Sequence, residues 1–107
     1  MEILILFIDS SKMDEIIVSL SGNGFEERLV TKIKDNRGSQ VILLSIQKVL
    51  EKKGKSLQDI TEIVLYEGSG SYTGRRVGAS IANTLSYTLT IPINKQKLGV
   101  FVYPSYE

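Results

Sequence analysis

Apolar residues occupy every position from Ile3 to Ile8, a run that predicts a strand covered on both faces and ended by the turn Asp9-Ser10-Ser11. From Ile16 to Ser21 the pattern alternates, with Ile16, Val18 and Leu20 on one face, and Gly22-Asn23-Gly24 follows as a hairpin turn. The partner strand runs from Phe25 to Lys34, with Leu29, Thr31 and Ile33 on one side and Arg28, Lys32 and Lys34 on the other, as suits an outer antiparallel strand. Ser39 to Lys53 changes to helical spacing, with Ile42, Leu43, Ile46, Val49 and Leu50 on one face and Gly54 as the stop. Ser56-Leu57-Gln58-Asp59 reads as a short capped turn, and Ile63 to Tyr66 as a second central strand. A second helix is predicted from near Thr73 to about Thr88, then an extended segment Ile91 to Asn94 around Pro92. The order β-β-β-α-β-α-β joins a meander to a right-handed parallel unit. Lys95 to Glu107 holds Val100, Phe101, Val102 and Tyr103 before Pro104, and its place is left open.

Composition narrows the chemistry. The 107 residues, 42% hydrophobic and 23% charged, suffice for one domain with a modest core. Without cysteine or histidine, thiol nucleophiles, Ser-His relays and zinc-histidine clusters are excluded. A net charge of +1 gives no electrostatic footprint for nucleic-acid binding by this chain alone, so direct RNA binding is not expected. Met1-Glu2 and the short apolar run after it do not match a signal peptide, which leads to the expectation of a cytoplasmic protein. Val77 to Asn94 holds no charged residue over 18 positions, but Ser80, Asn83, Thr84, Ser86, Thr88 and Thr90 make it too polar to span a bilayer, and no membrane partner is expected.

Three constellations are candidates for function. Gly68, Gly70 and Gly74 stand between a strand and a helix, the layout in which backbone amides converge on an anion. The spacing matches neither the dinucleotide motif nor the P-loop, where Arg75-Arg76 replaces the required lysine and hydroxyl, so a tight structural turn is the other reading. Asp9, Ser10 and Ser11 end a central strand where open α/β sheets place ligands. If the central strands are parallel neighbours, this turn and the glycine loop meet at one edge and form a low-ranked phosphate site; the alternative is a turn bonding its own backbone. On a helical wheel Gly74, Val77, Gly78, Ile81, Ala82, Leu85 and Leu89 form the sheet-facing stripe of the second helix. Ala79, Asn83, Ser86 and Tyr87 then fall outward. That outer side lacks Lys and Glu, and depletion of charge marks the core of an interface. Val41 and Leu44 point away from the first helix's core face, so the six residues together form a candidate partner surface.

Gly68-Ser69-Gly70-Ser71-Tyr72-Thr73-Gly74-Arg75-Arg76-Val77-Gly78, after a strand and before a small-residue helix, resembles the TsaB (YeaZ) signature G-P-G-S-[FY]-T-G-x-R-[IV]-G. The opening Ile5 to Ser11 is similar to that family's first strand and D-[TS]-S turn, and Ser39 to Asp59 to its first helix and the S-L-x-D segment. Ser69, Gly38 and Arg75 depart from the family's usual proline, histidine and aliphatic residue. The resemblance implies a single actin/Hsp70-like (RNase H-like) α/β lobe with a mixed five-stranded sheet of order 3-2-1-4-5. The resembling segments cover most of the chain, and a single lobe is expected over residues 1–107, without the second lobe that the family normally carries.

The resemblance also implies a non-catalytic subunit in making threonylcarbamoyladenosine in tRNA. Such a subunit pairs through its two helices with a TsaD-like catalytic subunit or with itself as a homodimer, and a TsaE-like ATPase joins the assembly. The signature residues Gly68, Gly70, Ser71, Tyr72, Thr73, Gly74, Arg76 and Gly78 then mainly place the helix, with no catalytic residue and no metal. No cofactor is expected beyond ATP or ADP with magnesium at a site shared between lobes. The alternative is a small nucleotide- or phosphate-binding protein using the Asp9 turn and the Gly68 to Gly74 loop.

Overall fold

Strands β1 (Leu4–Asp9), β2 (Glu15–Gly22) and β3 (Phe25–Lys32) form an antiparallel meander, followed by helix α1 (Gly38–Lys52), strand β4 (Glu62–Leu65) and helix α2 (Tyr72–Leu89). The computed structural model describes residues 2–33, 38–66 and 72–94, the last segment without the side chains of Tyr72 and Thr73. The sheet order is β3-β2-β1-β4, with β1 and β4 parallel neighbours. The expected five-stranded sheet of order 3-2-1-4-5 is corrected accordingly: among the described residues the sheet has four strands, in the order β3-β2-β1-β4. At the expected place of the fifth, Ile93 makes a single parallel bridge to Ile63, since Asn94 turns away in the left-handed region at φ 50°.

Register decides which residues form the core. Leu6 stands opposite both Leu20 and Ile63, and Ile8 opposite both Val18 and Leu65, so these side chains share one face. They bury against Ile42, Ile46, Val49 and Leu50 of α1 and Ala79 and Ala82 of α2, and both helices therefore lie on that face. On the opposite face Ile5, Phe7 and Val64 are half-buried and, with Ser19, Ser21, Glu26 and Arg28, line a shallow groove. The alternation read in β3 holds: Leu29 and Thr31 turn toward the helices while Arg28 and Lys32 are exposed. Lys34 lies outside the described residues, as does Lys95 to Glu107.

Local chemistry ends α1 at the glycine where the sequence suggests. Gly54 adopts φ 65° after α1, and the Lys55 amide donates back to the Leu50 carbonyl at 2.9 Å, a glycine stop that a side-chain-bearing residue would strain. In the 3-10 turn that follows, the Ser56 amide donates to the Asp59 carboxylate at 2.8 Å while the Asp59 amide donates to the Ser56 carbonyl at 3.0 Å. No helix among the described residues is long and apolar enough to cross a membrane.

The exit from α2 depends on Asn94. Its Oδ1 accepts from the Leu65 amide at 2.7 Å, its Nδ2 donates to the Leu65 carbonyl at 3.1 Å, and its backbone amide donates to Ile63. The side chain thus replaces a neighbouring strand at the end of β4. Asn94→Ala leaves two partly buried backbone groups without these partners, and is expected to lower unfolding free energy by about 1–3 kcal/mol in urea titration.

Candidate partner surface

Ser10 and Gly78 set the position of α2. The turn after β1 is held by Asp9, whose Oδ1 accepts from both the Ser11 amide at 2.9 Å and the Ser11 hydroxyl at 2.6 Å. Ser10, buried to 2% exposure, donates its hydroxyl to the Gly74 carbonyl in the first turn of α2 at 2.7 Å. One turn later Gly78 lies directly over it. A Cβ at Gly78 would collide with Ser10 Oγ and stand 3.2 Å from Ser10 Cβ and 3.5 Å from Leu65 Cδ1. The turn at the carboxyl end of β1 therefore meets the first two turns of α2.

This close approach changes which side of α2 faces the sheet. Gly78, Ala79, Ala82 and Ser86 are buried, together with Arg75, while Val77, Ile81, Leu85 and Leu89 are half-buried on the flank. The wheel expectation that Ala79 and Ser86 point outward is thereby corrected: Ala79 is 4% exposed, and Ser86 at 7% donates its hydroxyl to the Ile91 carbonyl at 2.6 Å. The physical reason is distance. A helix seated this near the sheet can place only small side chains beneath it, so the large aliphatic residues move to the sides. The outward side is Arg76, Ser80, Thr84, Tyr87 and Thr88, with Asn83 half-buried beside them; Tyr87 is 75% exposed. It still lacks Lys, Asp and Glu, and Thr84 returns its hydroxyl to the Ser80 carbonyl at 2.8 Å instead of reaching outward.

α1 contributes the apolar part. Leu43, expected in the core, is 53% exposed, because α1 packs on the sheet through Ile42, Ser45, Ile46, Val49 and Leu50. Ser45 takes a place in that face because its hydroxyl meets Thr31 of β3 at 3.3 Å. Leu44 is 54% exposed, as expected, whereas Val41 packs half-buried against the core. A cleft of about 360 Å³, lined by Leu43, Ile46, Leu50, Leu57 and Leu85 together with Gln47, Glu51, Lys55 and Ser56, lies between the two helices, so the exposed Leu43 of α1 faces the flank of α2. Among the predicted surface residues the structure exposes Leu44 and Tyr87, half-exposes Val41 and Asn83, and buries Ala79 and Ser86. Leu43, Ser80, Thr84 and Thr88 were missed; the signal for them is the 78, 79, 82, 86 series of small residues, which marks the sheet-facing side.

A second cleft, of about 340 Å³, opens beside the Ser10 turn and is lined by Ser10, Lys12, Met13, Ser39, Gly74 and Val77 among others. The signature residues Gly68, Gly70 and Ser71 lie outside the described residues, as do the side chains of Tyr72 and Thr73. Asp9 and Ser11 bond one another as a turn does, and no group of three metal-ligating side chains exists among the described residues. Charges elsewhere are paired at the surface. Glu15 lies between Lys32 at 3.0 Å and Lys12 at 3.1 Å, and these hydrogen bonds, Lys32 first, hold its carboxyl below the ordinary glutamate value. The Ser56 amide, then the Ser56 hydroxyl, lowers Asp59 in the same way.

Comparison with known proteins places these features in context. Residues 31–95 match the family described as TsaD, tRNA N6-adenosine threonylcarbamoyltransferase. The chain is 33% identical over 90 residues to the tRNA threonylcarbamoyladenosine biosynthesis protein TsaB of Bacillus subtilis, covering 84% of this chain and 39% of that one. It is 31% identical over 93 residues to the TsaB of Buchnera aphidicola from Schizaphis graminum, covering 84% and 42%. In structure it is similar to YeaZ from Pseudomonas aeruginosa, with a TM-score of 0.79 at 22% identity over 89% of this chain and 44% of that one. The chain thus spans about two fifths of the length of these curated relatives.

Proposed function

The chain belongs to the TsaB (YeaZ) family, and on that premise we propose that it acts in forming threonylcarbamoyladenosine in tRNA as a non-catalytic subunit, pairing through α1 and α2 with a TsaD-like catalytic subunit or with a second copy of itself. The observation that carries the pairing is the outer face of α2, uncharged from Ser80 to Thr88, together with the exposed Leu43 and Leu44 of α1, of which Leu43 meets Leu85 on the flank of α2 across the cleft. A solvent-facing helix ordinarily carries Lys and Glu there; loss of charge with exposed leucine and tyrosine is the composition of an interface core. In this reading chemistry belongs to the partner. The chain positions that partner, a TsaE-like ATPase joins the assembly, and tRNA is met only in the complex.

The test is solution mass by light scattering, for the chain alone and mixed with the TsaD-like subunit of the same organism. A mixed complex, or a concentration-dependent dimer of the chain, is the expected result. Two unshifted monomer peaks at concentrations well above those of a stable interface would overturn the pairing.

A further inference from the structure

We infer that the tip of the β2–β3 hairpin is a site of spontaneous covalent modification, the deamidation of Asn23 to aspartate and isoaspartate. The reaction needs a carboxamide carbon and the next residue's backbone nitrogen to be free and able to meet. Asn23 and Gly24 form the two-residue connection between the paired Gly22 and Phe25, and both are exposed. The Asn23 side chain makes no hydrogen bond, and the Gly24 amide is not engaged by any backbone acceptor among the described residues. Gly24 itself lies in open space: a Cβ built on it would touch nothing within 4 Å. The attacking nitrogen is therefore neither tied by a hydrogen bond nor shielded by a side chain.

The other asparagines differ in each respect. The carboxamide of Asn94 is held at both ends by Leu65 and precedes Lys95. Asn83 sits within α2, where the following amide belongs to the helical ladder. Asn36 lies outside the described residues and precedes Arg37, whose side chain hinders attack. Asn23-Gly24 is the sequence's one Asn-Gly pair.

In the step itself the Gly24 nitrogen gives up its proton and attacks Asn23 Cγ. A C–N bond forms, the carboxamide nitrogen leaves as ammonia, and a five-membered succinimide results. Water then opens the ring at either carbonyl; no oxidation state changes. Opening at the α-carbonyl leaves the chain running through Cγ, with one extra methylene in the backbone. A two-residue turn has no slack for it, so the Gly22–Phe25 pairing is lost first. Phe25 also meets the turn that follows α1, since its ring lies 5.1 Å from Lys53 Nζ, and Glu27 two residues on pairs with Lys52 of α1 at 3.1 Å. Damage at the tip is thus passed to the edge strand and to the end of α1.

The experiment is incubation of the intact folded chain at neutral and mildly alkaline pH, followed by peptide mapping with mass spectrometry. Conversion is expected at Asn23 ahead of Asn36, Asn83 and Asn94, with isoaspartate exceeding aspartate and a faster rate at the higher pH. Gly24→Ala is expected to slow it about tenfold by raising the barrier to attack, and Asn23→Gln to remove it while leaving the melting temperature unchanged. The isoaspartate form, separated from the unmodified chain by its added negative charge and from the equally charged aspartate form by reversed-phase chromatography, is expected to melt lower and to exchange amides faster across Phe25–Lys32. Conversion of another asparagine at an equal rate, or of Asn23 only in unfolded chain, would overturn the site. An isoaspartate form with native melting and exchange would overturn its structural consequence.

Discussion

Gly78→Ala is expected to destabilise the chain by about 1–3 kcal/mol, the usual cost of forcing extra volume into a packed site. Ser10→Gly in the same chain is expected to recover most of that loss. The added methyl would collide with Ser10 Oγ and press on Ser10 Cβ at 3.2 Å, with Leu65 Cδ1 in ordinary contact at 3.5 Å. Ser10 cannot rotate away cheaply, because its hydroxyl is committed to the Gly74 carbonyl and it is 2% exposed. Alanine is the better helix former by about 0.8–1 kcal/mol, so on propensity alone the change would stabilise α2; a measured loss identifies packing as the dominant effect. Urea titration of the two single variants and the double variant gives the coupling directly. Residues in contact are expected to deviate from additivity by about 0.5–3 kcal/mol, and additive behaviour would refute the close seating of α2 on the β1 turn.

That seating explains what the sequence could and could not reveal. The meander, the parallel β1–β4 pair and both helices follow from period and punctuation: six successive apolar residues at Ile3 to Ile8, Asn23-Gly24 at the hairpin, and Gly54 at φ 65° after α1. The faces of the helices follow less well. A wheel weighted toward bulky aliphatics puts Val77, Ile81 and Leu85 against the sheet, whereas the sheet admits only Gly78, Ala79, Ala82 and Ser86. Small residues mark the close approach, and the element they approach is the sheet beneath. Leu43 was assigned to the core by the same weighting; Ser45 displaces it because a hydroxyl partner, Thr31, waits on β3. Both errors arise from contacts between residues far apart in the chain, which periodicity within one helix does not contain.

The corrected faces also decide which substitutions test the pairing. Ala79→Arg and Ser86→Arg, chosen from the wheel, would place a guanidinium beneath α2 or remove the Ser86 bond to Ile91, and so would report on folding. Leu44→Arg and Tyr87→Asp instead change side chains that are 54% and 75% exposed, and melting temperature and secondary structure are expected to stay within experimental error of the parent. Pairing is expected to weaken by about thirtyfold or more for each, corresponding to the roughly 2 kcal/mol that defines a residue central to an interface. The reason is desolvation: a partner helix packed over an uncharged surface has no solvent with which to hydrate a new charge. Thr31→Val serves as the contrasting variant, since it alters the β3–α1 contact beneath the surface and is expected to change stability without changing affinity. Affinity retained by both Leu44→Arg and Tyr87→Asp would remove α1 and α2 from the pairing surface, whereas loss in both with unchanged melting would place the partner across the seam between the two helices.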